Sequence, residues 1–174
     1  MIEQITVKYV GYFGPCIDFD MTINGDVASY EYSSLFDIVE IKDKVNNISN
    51  FIKAVEEIDI PSLKNKYIYE DVILDGTDFT LRYKETGKRA KIIHCQYFPD
   101  KIIDFLSEIE LLIPEVLFFP KVDFDKWFNE RMEDFEVDDP EDLYEKIKAE
   151  FNAAPTWAKK NMILDNAFDC GVKL

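Results

Sequence analysis

The sequence predicts an α+β fold: an antiparallel sheet packed on two amphipathic helices, followed by a helical C-terminal lobe. Three observations predict it. Apolar residues alternate with polar ones in the first third of the chain and again from Lys66 to Cys95. They recur every three or four residues in two central segments. The last third holds three short helical patterns, each preceded by a residue suited to a helix start. These patterns divide the chain into a sheet domain over 1–114 and a lobe over 115–174 on the same core.

Ile5, Val7 and Tyr9 alternate with polar residues; Gly11, Gly14 and Pro15 mark a loop; Ile17, Phe19, Met21 and Ile23 alternate again up to Asn24-Gly25. A two-residue turn there pairs Ile23 with Asp26, Met21 with Ala28, Phe19 with Tyr30 and Ile17 with Tyr32, which leaves one face apolar. From Lys44 to Ile58 the period changes. Val45, Ile48, Phe51, Ile52, Val55 and Ile58 form a helical stripe, with Asp43 as its cap and Pro61 beyond its end. Strand character returns around Val72, Leu81 and Ile92, punctuated by Asp75-Gly76 and Thr86-Gly87. A two-residue turn at Thr86-Gly87 aligns Tyr83 with Ala90, Leu81 with Ile92 and Phe79 with His94, so His94 is expected on the buried face.

Pro99 and Asp100 open a second helix whose stripe is Ile102, Ile103, Phe105, Leu106, Ile109 and Leu112, and Pro114 ends it. In the lobe, Asp123 caps a helix bearing Phe124, Trp127, Phe128 and Phe135. Asp139-Pro140 starts one bearing Leu143, Ile147 and Phe151. Pro155 or Thr156 starts one bearing Trp157, Leu164 and Phe168, closed by Gly171.

A net charge of −15 repels phosphate backbones and anionic membrane surfaces, both of which are bound through clustered Lys and Arg. The sequence therefore predicts neither a direct nucleic-acid ligand nor a membrane partner, and the same field attracts basic proteins. The opening residues show no charged stretch leading into an apolar one. Glu110, Pro114 and Glu115 interrupt the longest apolar run. With three widely spaced cysteines, Cys16, Cys95 and Cys170, and no C-x-x-C pair, the expectation is a cytoplasmic protein with reduced thiols.

Chemistry-bearing motifs are sparse. His94 is the single histidine, and in a strand its neighbour Cys95 points to the opposite face, which separates the two groups a Cys-His nucleophile needs together. Asp18 with Asp20, or Asp75 with Asp78, lack the spacing of a calcium loop. No Gly-rich phosphate loop or G-x-S-x-G elbow occurs. No catalytic residue, metal or cofactor is predicted. The densest charge runs from Glu130 to Glu145, where nine carboxylates face only Arg131 among cations. Asp139 and Glu141 suit helix starts, and most of the others have no such task. The candidate partner-binding residues are thus Glu130, Glu133, Asp134, Glu136, Asp138, Asp139, Glu141 and Asp142, joined by the loop aromatics Tyr12 and Tyr97.

The stretch from Asp75-Gly76 through Phe79-Thr80-Leu81-Arg82-Tyr83 and Gly87-Lys88 to Phe98-Pro99 resembles a module of small bacterial immunity-type proteins. Such proteins are encoded beside polymorphic or contact-dependent growth-inhibition toxins. His94 and Gln96 stand where that pattern has glycine and asparagine. The resemblance implies an antidote that binds a cognate toxin, expected to be a basic nuclease, and blocks its active site or substrate surface. It transfers no site residue. The alternative from composition alone is an acidic interaction module or a nucleic-acid mimic of phage type.

Overall fold

The structure, a computed structural model, describes residues 1–10, 16–35, 38–69, 78–134 and 139–169, and only the backbone of 133, 134, 168 and 169. The chain divides into two compact units, Met1–Phe118 and Phe119–Leu174.

The first unit is a seven-stranded sheet with helices, as the alternating and helical patterns predict. Its strands are β1 (Ile2–Val10), β2 (Cys16–Asn24), β3 (Val27–Ser34), β4 (Val39–Asn46), β5 (Lys66–Tyr67), β6 (Asp78–Glu85) and β7 (Lys91–Cys95), in the spatial order β4-β3-β2-β1-β6-β7-β5. Every pairing is antiparallel except that of β5 with β7. Period-two alternation places Ile5, Val7, Phe19, Met21, Tyr30, Tyr32, Leu81 and Ile93 on one buried face. The core is completed by α1 (Ser49–Ile58), through Phe51 and Val55, and by α2 (Asp100–Leu112), through Ile102, Ile103, Phe105, Leu106 and Ile109.

Residues 113–118 run along the same buried face. The Tyr30 hydroxyl donates to Glu115 Oε1 at 2.5 Å, Tyr32 donates to the Leu117 carbonyl at 2.8 Å, and Phe118 stands edge-on to Phe19 at 5.7 Å. Burial and the adjacent Glu115 carboxylate push the Tyr30 hydroxyl well above the ordinary tyrosine range. Glu110, buried on α2, accepts from the Phe118 N–H at 3.2 Å.

Three local expectations are corrected. In the first hairpin Asn24 pairs with Val27, so Met21 opposes Tyr30 and Phe19 opposes Tyr32. The turn is Gly25-Asp26, with Gly25 at φ +65° in its first central position, where glycine carries no steric penalty. The second hairpin pairs Tyr83 with Lys91 and Phe79 with Cys95. Its connection runs over 86–90, with the Lys88 N–H bonded to the Glu85 carbonyl, and is therefore longer than two residues. This one-residue slip turns His94 to the open face and buries Cys95.

The third correction concerns Lys44 to Asn46, which belong to strand β4 and not to the first helix. Asp43 therefore does not cap α1. The Ser49 N–H is accepted instead by Asp26 Oδ1 at 3.0 Å, from the β2–β3 turn, and the Asn47 N–H by the Asp26 carbonyl at 2.9 Å. One turn residue thus supplies the acceptor that the helix start lacks locally. Asp26→Ala is expected to destabilise the unit by about 0.5–2 kcal/mol in urea unfolding, and Asp26→Asn, which keeps an acceptor, by much less. Equal losses in the two variants would show that the hydrogen bond is not what matters at this position.

The second unit is helical: α3 (Phe124–Asp134), α4 (Pro140–Ala153) and α5 (Trp157–Asp169). Asp123 accepts from the Lys126 N–H, Asp139 from the Asp142 N–H, and Thr156 Oγ1 from the Lys159 N–H, at 3.2, 3.1 and 3.3 Å. The sequence marks these starts at Asp123, at Asp139-Pro140 and at Pro155 or Thr156, and of the last two the structure uses Thr156. Phe124, Phe128, Ile147, Phe151 and Leu164 form the core, flanked by Trp127, Tyr144 and Trp157. Phe135 and Gly171 lie outside the described residues, as do Val72 and Asp75-Gly76.

Candidate functional site

The acidic stretch spans the end of α3 and the start of α4. Glu130 is exposed near the end of α3 and sits 3.7 Å from Lys126, one helical turn earlier, an ion pair that water screens. Glu133 and Asp134 occupy the last turn of α3, where the helix dipole is negative and carboxylates are disfavoured; Arg131 is the basic residue there. Asp139 caps α4, and Glu141 and Asp142 occupy its first turn, where the dipole favours them. All three are exposed, as is Glu145. Glu136 and Asp138 lie outside the described residues. Helix starts thus account for Asp139, Glu141 and Asp142, while Glu133 and Asp134 work against the helix that carries them.

The carboxylate at the start of α3 is neutralised by two partners on α4. Tyr144 Oη donates to Asp125 Oδ1 at 2.6 Å and Lys148 Nζ at 2.9 Å. The hydroxyl first and then the ammonium hold the Asp125 carboxyl below its usual range, while the Tyr144 hydroxyl first and then the Asp125 carboxylate raise Lys148. Lys148 also lies over the Tyr144 ring at 4.6 Å, and Lys160 over the rings of Phe151 and Trp157 at 4.9 and 4.8 Å.

In the sheet unit, Tyr97 is 40% exposed and packs against Tyr69 at 5.3 Å and Tyr67 at 6.0 Å. Tyr12 lies outside the described residues. Sequence reasoning singled out Tyr97 but missed Tyr67 and Tyr69. The signal was their i, i+2 spacing, and the missing fact was the parallel pairing of β5 with β7 that brings 66–67 beside 94–95.

The open face of the sheet is polar. Asp18 pairs with Lys8 at 3.1 Å; Asp20 accepts from Thr6 Oγ1 at 2.8 Å and Gln4 Nε2 at 3.0 Å; Arg82 donates to Gln4 Oε1 at 2.6 Å. Two open depressions of about 330 and 410 Å³ lie over β2, β3 and β4, and both include Asp20, Glu31 and Lys42. His94 is exposed on this face, its Nδ1 3.0 Å from Thr80 Oγ1, and Cys95 is buried on the other, its thiol pushed up to about 12 by desolvation. The arrangement keeps imidazole and thiol apart. Among the described residues, no three His, Cys, Asp or Glu side chains gather as a metal site would require, and no helix is long and apolar enough to cross a membrane.

No protein-family model, curated protein or solved structure matches this chain.

Proposed function

We propose that this chain is an immunity protein, a binding antidote that captures a cognate basic bacterial toxin and covers its active site or substrate surface. The observation that carries the reading is the run of nine carboxylates from Glu130 to Glu145, which exceeds what the start of α4 uses and includes two acids in the last turn of α3, where the helix dipole disfavours them. In a chain of net charge −15 such a patch steers a cationic partner and presents it with acceptors for Lys and Arg. The resemblance of residues 75–99 to the immunity-type module points the same way. A nuclease that binds phosphates offers the complementary surface, and occluding that surface is itself inhibitory.

This reading expects a toxin gene immediately upstream, and the test is co-expression with its product. Growth arrested by the toxin alone should be restored by this chain, and unrelated toxins should still arrest growth. Failure to protect, or inhibition of several unrelated DNA-binding proteins instead, would replace this reading with that of a nucleic-acid mimic.

A further inference from the structure

Strand β4 ends the sheet, and among the described residues no strand lies on its outer side. The opposite end is closed by β5, which is two residues long, whereas β4 has eight. The Asn47 N–H donates to the Asp26 carbonyl in line with the β3–β4 register. Alternation along an antiparallel pair therefore turns the N–H and C=O groups of Glu40, Lys42 and Lys44 outward. Of these, the Lys44 N–H is already taken by Asp43 Oδ1 at 2.8 Å. The edge is thus blunted at Lys44 and remains a template at Glu40 and Lys42.

The side chains agree with the backbone. Glu40 and Lys42 lie opposite Ser33 and Glu31 and are exposed on the open face, while Val39 and Ile41 are half-buried on the other. We propose that the chain self-associates through this edge: two copies pair β4 antiparallel about a twofold axis at Ile41, each Glu40 opposite Lys42 of the second copy. Both backbone groups of Glu40 and Lys42 then find partners, two opposite-charge pairs form, and Ile41 meets Ile41. An axis at Lys42 would set Lys42 against itself and call on the occupied Lys44 N–H; an axis at Asp43 would set Lys42 against Lys44 twice. Only the Ile41 axis satisfies both the charges and the outward amides. On it Glu31, already paired with Lys42 in the same chain, extends the array to Glu31–Lys42–Glu40.

So short an overlap makes a weak dimer, and sedimentation velocity of the full chain from about 10 to 500 µM, at 0.15 M salt where charges beyond about 8 Å are screened, reads it out. The parent is expected to shift from monomer toward dimer across that range. Glu40→Lys and Lys42→Glu should each weaken the dimer about tenfold, because each places like charges across the axis twice. Mixed one to one, the two variants should recover it, since position 40 of each copy then again faces an opposite charge at position 42 of the other. A parent that stays monomeric throughout overturns the proposal, as does a mixture no tighter than either variant. No toxin is involved, so the result is independent of the proposed function.

Discussion

Replacing Phe19 by alanine is expected to destabilise the sheet unit by about 3–5 kcal/mol. Phe19 is fully buried and lies on the buried face between Val7 of β1 and Tyr32 of β3, its cross-strand partners. Its ring meets Phe118 edge-on at 5.7 Å and Tyr30 at 6.4 Å. Truncation removes the transfer energy of the ring and opens a cavity beneath residues 113–118. Backbone hydrogen bonds to Tyr32 and Glu110 hold those residues in place, so they cannot collapse inward to fill it. Urea unfolding with an unchanged m-value measures the loss. A decrease below about 1 kcal/mol would mean that Phe19 does not pack as described.

The second large effect concerns capture. Reversing Glu133, Asp134 and Asp138 to Lys should slow association with a basic toxin by roughly tenfold or more at low salt, and flatten its salt dependence. Asp139 is spared because its carboxylate caps α4 and its loss would cost about 1 kcal/mol of helix stability. Dissociation should change less, since steering acts at a distance. A carboxylate desolvated in the complex behaves differently: its truncation costs about 2–5 kcal/mol and shows chiefly as faster dissociation. The variant should also melt slightly higher, because two lysines now sit at the negative end of α3 where two acids sat before. Lower association with higher stability is a signature that damage to the fold cannot mimic. If stopped-flow mixing finds the variant as fast as the parent, the patch is only solvated and the interface lies elsewhere, Tyr97 and its neighbours Tyr67 and Tyr69 being the next surface to test.

The two hairpins show what the sequence could and could not specify. Alternation identified every long strand except β4, because apolar spacing has a period that survives any error in the turn. Register did not survive equally. At Asn24-Gly25 the expected and observed pairings differ by two residues along the partner strand, and a shift of two returns every side chain to the same face. At Thr86-Gly87 the difference is one residue, and His94 and Cys95 exchanged environments. The turn glycines were correctly marked; the number of residues that close each loop depends on contacts beyond the turn, such as the Asp26 carboxylate reaching Ser49.

Lys44 to Asn46, the end of β4, read as the start of a helix because Val45 and Ile48 stand three apart in line with Phe51 and Val55. Val39, Ile41 and Val45 do alternate with polar residues, but Asp43 interrupts the apolar series just before the residues that fit the helical stripe. The helix starts of the second unit were legible because each cap is local, with its acceptor three residues before the donor. The tyrosine cluster was not, since it joins residues separated by two strands.

The N-terminal strand occupies the middle of the sheet: β1 pairs on one side with β2, next in sequence, and on the other with β6, Ile5 opposite Tyr83. During synthesis, strands β1 to β4 can zip as a meander while β6 is still unmade. Until it emerges, the edge of β1 that will become the interior of the sheet stands open along its length. Pairing β6 with β1 closes the longest loop of any strand pairing in the sheet, and so carries a larger loop-closure cost than any hairpin. The nascent meander in that interval is the species most exposed to pairing with another chain. A chain truncated before Asp78 would be held in that state permanently.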